Sequence, residues 1–451
     1  MKYYFCSFDG IGYGVAYRLL QEGHSVTVAQ IQDNKELGNG DKPEDPEMKR
    51  RRLSCYSGIL KKLPMPQMLI QMRAEKNKDD CFVIFDFNNL WKYAEMVQKM
   101  GFKNGFFPTK ADYEMESDRE AAKEIVKKHY PGLTIGDVKE FKKAQDGIQF
   151  LQEAQDETMW VLKGNDDCAQ TVCPDTKIPT LAKEELTTQL EKDGPNYEKG
   201  GYILEEKIME PFEMTPEAQW YNGKLIAITV DIENKPMGAG NIGKQCGCAQ
   251  NIVFEIDPES KIAEAAFPPY IHEQAAKRKG LFVFDAGLLL KDGKLYFTEF
   301  CSQRWGWDSF YTQLSMCESV GSYFEALVAG QNPYKYKFGA ATRGFNIDIG
   351  SDKMTVKDRK MSWLDETDKD TWLYDMKMKD GCAINAGCAF DLVVFTGGSN
   401  TFEGAVNKAY KAAEGFSFSN MIYRPKFDFN STEYQTSIPN RYEEGRVEGL
   451  Y

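Results

Sequence analysis

Tyr202-Ile203-Leu204-Glu205-Glu206-Lys207-Ile208 is the stretch on which the reading of this chain turns: an apolar strand running into two glutamates. Upstream, Met159-Trp160-Val161-Leu162-Lys163 is a second strand, and it ends in a lysine. A charged helical stretch at residues 181–193 separates the two. Before both, an amphipathic helix over residues 114–128 carries Arg119 and, one turn later, Lys123. Downstream lie two hairpins. Residues 219–221 and 225–232 flank the turn Asn222-Gly223, and residues 282–290 and 295–300 flank Asp292-Gly293. The second hairpin carries an acidic residue on each arm, Asp285 and Glu299.

Each feature is ordinary alone, because strand-end lysines and paired glutamates are commonly solvated. Together they match the needs of a nucleoside triphosphate. Phosphates need fixed cations, supplied by Arg119, Lys123 and Lys163. Adenine needs a backbone donor and acceptor, which Glu205, Glu206, Lys207 and Ile208 offer as a hinge at the strand end. Ribose hydroxyls need a carboxylate, and Glu213 follows the hinge. Magnesium bridging the phosphates needs oxygen ligands. The turn at 292 lies midway between 285 and 299, so the two carboxylates are expected nearly opposite one another on paired strands.

Towards the N-terminus, strand and helix alternate: a strand at 3–8, the glycine turn Gly10-Ile11-Gly12-Tyr13-Gly14, a helix at 15–22, strands at 24–30 and 81–87, and a helix at 90–100. That order predicts a parallel sheet with ligands at its carboxyl ends. Val15 stands where a dinucleotide fingerprint needs its third small residue, which argues against NAD. Residues 33–52, with Pro43, Pro46 and the run Lys49-Arg50-Arg51-Arg52, read as an exposed excursion. Beyond Pro333 a β-rich run at 388–396, a helix over Phe402–Glu414 and an irregular tail make a third segment.

Composition narrows the class. The 451 residues hold 56 Lys and Arg against 68 Asp and Glu, a formal charge of −12, which argues against a nucleic-acid-coating surface. No apolar run is long enough to span a bilayer, and the N-terminus enters a strand without a signal-peptide pattern. The 11 cysteines, in no framework spacing, indicate reduced thiols and a cytoplasmic setting. With 3 histidines, neither a zinc site nor a Ser-His-Asp triad is expected, which leaves the chemistry to carboxylates and cations.

Several motifs fall in a recognisable order. Phe106-Phe107-Pro108-Thr109-Lys110-Ala111 precedes Glu116-Ser117-Asp118-Arg119 and Lys123. The Lys163 strand, the Ile203-Leu204-Glu205-Glu206 hinge and Phe212-Glu213 come next. Residues 285–306 end in Thr298-Glu299-Phe300-Cys301-Ser302-Gln303-Arg304-Trp305-Gly306, and Val393-Val394-Phe395-Thr396-Gly397-Gly398-Ser399-Asn400-Thr401 comes near the C-terminus. In this order they resemble the ATP-grasp ligases, most of all the glycinamide ribonucleotide synthetase (phosphoribosylamine–glycine ligase) branch. The resemblance implies an α/β and α+β multidomain chain: a Rossmann-like pre-ATP-grasp domain at 1–108, a two-lobed ATP-grasp domain at 109–332 and a small C-terminal α+β domain at 333–451. It implies an ADP-forming carboxylate–amine ligase acting through an acyl phosphate, with ATP and Mg²⁺ or Mn²⁺ as cofactors. The substrates implied are a small amino-acid-like carboxylate and an amine.

Under that resemblance Lys163 and Arg119 neutralise phosphates, Glu299 with Asp285 holds the metal, and Arg304 stabilises the acyl phosphate and the oxyanion. Asn241 and Gly243 fall in the family's substrate loop, and Asp9 and Gly10 at its first turn. The departures are specific. The first turn, Ser7-Phe8-Asp9-Gly10-Ile11-Gly12-Tyr13-Gly14, lacks the family's Arg-Glu-His. Gly164-Asn165-Asp166-Asp167-Cys168-Ala169-Gln170 replaces its Gly-Lys-Gly loop. Cys301 or Ser302 replaces its metal-binding Asn, with one residue inserted before Arg304. These departures imply a divergent ligase with an altered amine, or alternatively a non-catalytic ATP-binding scaffold of the same fold.

Overall fold

The computed structural model describes residues 1–8, 10–31, 49–50, 53–154, 157–165, 171–304, 307–347, 357–363, 369–387 and 390–451. Asp9, residues 166–170, Trp305 and Gly306 lie outside the described residues, as does most of the excursion at 33–52. The chain divides into two compact units. The first comprises Met1–Tyr113, Met214–Asp285 and Cys301–Tyr451, and the second Glu114–Glu213 and Ala286–Phe300. This division is coarser than a three-domain partition at 108 and 332.

The first unit begins as expected, with parallel strands. Lys2–Ser7 pairs with Ser25–Gln30 on one side and Cys81–Phe85 on the other. Lys62–Pro64 and Gly105–Phe106 extend the two edges. These strands read as unbroken apolar runs because both faces are covered. Tyr3 and Phe5 pack with Val15, Leu19, Phe82 and Ile84, whereas Tyr4 and Cys6 pack with Met68, Met72, Val83 and Phe85.

The same sheet continues as antiparallel strands. Phe212–Tyr221 and Lys224–Gly238 form the expected hairpin, its turn held by Asn222 at φ 49° and Gly223 at φ 84°. The third strand, Ile242–Glu255, was not expected: its glycines and Asn241 suggest a substrate loop. It pairs with Lys224–Gly238, and irregular register between Asn234 and Gly238 absorbs the extra residues around Cys246-Gly247-Cys248. Phe338–Asn346 and Asp391–Ser399 add to that sheet, the latter three residues later than the β-rich run at 388–396 suggests. The strands after 333 therefore continue the sheet of the first unit.

The C-terminal tail is ordered by a buried cation. Arg424 is 1% exposed. Its guanidinium bonds to the Asp428 carboxylate, the Pro236 carbonyl at 2.8 Å and Asn241 Oδ1 at 2.8 Å. Asp428 also accepts the Gly240 N–H at 2.6 Å. The turn 238–242 is thus tied to the tail.

In the second unit Tyr202–Glu206 is the middle strand of three, between Val138–Phe141 and Trp160–Gly164, all antiparallel. Helices Ala144–Glu153 and Pro179–Gly200 cover it, burying Ile148, Leu151, Leu162, Leu186, Leu190, Tyr197 and Leu204. The helix expected over 114–128 is broken into Lys110–Ser117 and Arg119–His129. Asp118 causes the break: its side chain accepts the Ala121 N–H at 3.0 Å and caps the second helix.

Removing the Arg424 guanidinium leaves Asp428 buried without its charge partner. Arg424→Ala is expected to cost about 3–5 kcal/mol in urea denaturation. Arg446→Ala, which breaks an exposed pair with Glu443, should leave the midpoint nearly unchanged.

Candidate active site

The second unit collects cations from three elements around one carboxylate. Glu205 lies on the central strand, in register with Val161 and Val138. Glu205 is 5% exposed; one carboxylate oxygen accepts a hydrogen bond from Lys123 Nζ, and the other lies 2.6 Å from Lys163 Nζ in an ion pair. Lys123 is delivered by the second turn of helix Arg119–His129, which the Asp118 cap sets in place. Lys163 comes from the end of the edge strand. Arg119, at the first helical position, donates from Nε to the Gly164 carbonyl at 3.1 Å and from Nη1 to Glu299 Oε2 at 2.8 Å. Three cations therefore face two carboxylates, a net positive charge that suits an anionic ligand.

Burial decides the protonation balance. It pushes the Lys123 ammonium below its ordinary pKa, although Glu205 pulls the other way. Burial acts to raise the Glu205 carboxyl too, but Lys163 and Lys123 overcome it and hold that pKa below the usual carboxylate range. The Arg119–Glu299 pair differs in kind. Its side chains are 19% and 53% exposed, so it is weakly held and open to exchange for other partners.

The hinge resolves into one donor and one acceptor. The Glu206 N–H donates to the Asp137 carbonyl and the Lys207 N–H to the Met159 carbonyl, both at 2.8 Å. The Asp137 N–H is taken by the Glu206 side chain at 3.2 Å. The Glu206 carbonyl and the Ile208 N–H are left without protein partners among the described residues. In an extended strand, groups two residues apart point to the same side. Glu213 belongs to this unit and is half-buried.

Glu299 sits at an irregularity that its sequence does not announce. Asp292 and Gly293 both have positive φ, so the turn has two residues and Lys291 faces Lys294. Counting back, Gly287 faces Thr298, whose hydroxyl donates to the Gly287 carbonyl at 2.9 Å. Further on, the Gln303 N–H donates to the Val283 carbonyl at 2.8 Å. The second strand therefore holds one residue more than the first. The slip falls at Thr298-Glu299: Leu295 and Phe297 are buried, then Phe300 and Ser302, and the Phe297 and Phe300 rings lie 4.4 Å apart. This β-bulge puts Cys301 across from Asp285. The direct pairing of Asp285 with Glu299 expected from the turn position is corrected accordingly. Among the described residues no group of three or more His, Cys, Asp or Glu side chains could hold a metal ion.

The remaining expected residues lie in the first unit. Arg304 stacks its guanidinium 4.1 Å from the centre of the Phe87 ring. The residue inserted before it, Gln303, has φ 52° and returns its side chain to the hairpin: Nε2 donates to the Leu281 carbonyl at 2.7 Å and Oε1 accepts the Val283 N–H at 3.0 Å. Ser302 does not stand in for the missing Asn, because its hydroxyl donates to buried Asp112 at 2.7 Å. Asn241 is engaged by Arg424 and Thr436, and Gly243 follows it at φ 94°. Gly10 donates its N–H to Ser7 Oγ at 2.7 Å. The sequence reading missed two buried carboxylates, Asp86 beneath the glycine turn and Glu217 among Gln219 and Gln313. Burial pushes the Glu217 pKa up to about 7.

No protein-family profile matches the chain, and no curated protein sequence matches it. Solved structures do. Phosphoribosylamine–glycine ligase from Thermotoga maritima aligns over 94% of this chain and 99% of that one, with TM-score 0.62 and 16% identity. This is the ATP-grasp fold. The biotin carboxylase domain of 2-oxoglutarate carboxylase from Hydrogenobacter thermophilus, a complex with MgADP and bicarbonate, aligns over 99% and 98% with TM-score 0.58 and 12% identity. An L-amino acid ligase from Bacillus licheniformis aligns over 94% and 99%, with TM-score 0.54 and 13% identity. At such identities the ATP-grasp fold is shared and the chain is a divergent example of it. No helix among the described residues is long and apolar enough to cross a membrane.

Glu205→Gln would leave two lysines facing a neutral amide. The loss is expected to be about 3 kcal/mol or more at pH 7. A depressed carboxyl contributes fully above its unfolded pKa of about 4.3 and fades as pH falls through its lower folded value. The gap between variant and wild type in denaturation midpoint should therefore narrow below pH 4. A gap that stays constant into acid would assign it to packing.

Proposed function

We propose that the protein is an ATP-dependent, ADP-forming carboxylate–amine ligase with an amine substrate different from phosphoribosylamine, and that it works in the cytoplasm without nucleic-acid or membrane partners. The observation that carries the reading is the cation cluster of Arg119, Lys123 and Lys163 around buried Glu205, on a fold shared with ligases. Adenine takes the Glu206 carbonyl through its amino group and the Ile208 N–H through a ring nitrogen. Glu213 accepts from the ribose hydroxyls. Lys163, Lys123 and Arg119 balance the phosphate charge.

Glu299 is the proposed ligand for Mg²⁺ or Mn²⁺. Magnesium keeps several waters and binds phosphates with one or two protein carboxylates, so a single glutamate at a bulge suits it. Asp285 is not carried forward as its partner. When bound, the metal neutralises charge on the transferred phosphoryl group. With Mg-nucleotide bound, Glu299 would hold the cation and Arg119 would face phosphate, so the weak Arg119–Glu299 pair would exchange both partners. Arg304 is assigned to the acyl phosphate and to the oxyanion formed when the amine attacks. Asn241 and Gly243 act on the substrate through the turn 238–242 and the start of strand Ile242–Glu255. The sequence of bonds is simple: a carboxylate oxygen takes the γ-phosphoryl group from ATP, and the amine displaces phosphate to form the amide.

The test is a phosphate-release screen of small amino acids crossed with amines, each with Mg-ATP. Turnover with one pair supports the ligase. Saturable ADP binding with no turnover for any pair favours the non-catalytic scaffold. Lys163→Ala should weaken ADP binding in calorimetry by about tenfold or more, because a charge-assisted bond to phosphate is lost. Glu299→Gln should abolish turnover with the fold intact by circular dichroism. It should also bind metal-free ADP more tightly than wild type, because Arg119 is released.

A further inference from the structure

The carboxyl ends of the central parallel strands hold a row of three polar side chains. Ser7 ends the first strand and is in register with Gln30 on one neighbour. On the other side Cys6 is in register with Phe85, which places Asp86 beside Ser7. All three are buried, with Gln30 at 4% and Asp86 at 0% exposure. Strand order reverses here: Lys2–Ser7 lies between Ser25–Gln30, which follows it, and Cys81–Phe85, which comes later. Open α/β sheets bind ligands at such a point. The adjoining glycine turn leads into the N-terminus of helix Tyr13–Gln21, where backbone N–H groups ordinarily meet an anion.

In this protein the anion is its own. Asp86 Oδ1 accepts the Phe8 N–H at 2.9 Å. Its Oδ2 accepts the Ser7 hydroxyl at 2.5 Å and the Gly12 N–H at 3.4 Å. Ser7 Oγ accepts the Gly10 N–H in turn. The Phe8, Gly10 and Gly12 N–H groups of the turn are therefore already used. One donor of the row is not: Gln30 Nε2 is buried and has no acceptor among the described residues. A buried donor of this kind needs an oxygen partner, which an ordered water or a ligand can supply.

We propose that Asp86 is the specificity-determining residue of this crevice, which admits an amine co-substrate bearing no phosphate and offers Gln30 Nε2 to a hydroxyl or carbonyl oxygen on it. A phosphate entering here would meet a carboxylate that has taken its hydrogen bonds, and like charges at that distance repel strongly. A neutral or cationic amine meets no such barrier. The assignment of the ligand as a co-substrate rests on the ligase reading, whereas the exclusion of phosphate does not.

Ribose 5-phosphate is the direct probe, titrated into the full chain and followed by phosphorus NMR. Wild type should show no saturable binding at millimolar concentration, and Asp86→Asn, of the same shape without the charge, should gain affinity by about tenfold or more. Saturable binding to wild type, or a folded Asp86→Asn that gains nothing, overturns the proposal. A second arm needs no variant: glucosamine and glucosamine 6-phosphate are compared as amines in the phosphate-release assay. Preference for the phosphorylated member overturns the proposal. For whichever amine turns over, Gln30→Ala should raise KM about tenfold and leave kcat unchanged, the signature of a lost substrate hydrogen bond. ADP titration keeps the two readings apart. Ribose 5-phosphate binding to wild type alongside normal ADP binding defeats this inference alone. A phosphate gain in Asp86→Asn without any ADP binding defeats the ligase alone.

Discussion

A carboxylate buried between two ammonium groups is the interaction on which the second unit depends. Glu205 cannot be left charged in that interior without Lys123 and Lys163, and neither lysine could be held there without it. The arrangement fixes two amines at the end of a three-stranded sheet before any ligand arrives. Preorganisation of this kind is how a site for phosphoryl transfer lowers a barrier, because the charges need no rearrangement when the reaction begins. Glu205 is therefore a positioning residue first. Its side chain is committed to the lysines, and in the proposed function only the backbone beyond it is offered to a base.

The contrast between the buried and exposed ion pairs organises the rest of the site. Lys123 and Glu205 are 4% and 5% exposed and rigidly matched. Arg119 and Glu299 meet at the surface and are cheap to separate. A site that must bind and release a highly charged ligand needs both behaviours. The bulge at Thr298-Glu299 serves the second by turning a glutamate out of an otherwise alternating strand.

Much of this was legible from residue order. Unbroken apolar runs declared the parallel strands, the lysine and paired glutamates closed two strands of one sheet, and Tyr202–Glu206 and Phe402–Glu414 have the expected limits. What escaped depends on single residues acting at a distance. Asp118 splits one helix by capping the next, a choice that local periodicity does not reveal. Strand Ile242–Glu255 hides behind glycines that occupy positive-φ positions at its irregular end. The bulge displaces Asp285 from Glu299 by a step that counting from the turn cannot detect. Asp86 looks like any polar residue after a strand until the sheet sets it beside Ser7. Each of these is a tertiary fact, and most sit where the chain departs from a regular pattern, next to the candidate ligand sites.

A crystal structure of the protein with MgADP tests the central claim most directly. The account predicts the phosphates within hydrogen-bond distance of Lys123 and Lys163, the metal on Glu299, the Arg119–Glu299 contact opened, and adenine on the Glu206 carbonyl and Ile208 N–H. Nucleotide bound elsewhere, with the Arg119–Glu299 pair undisturbed, would contradict it.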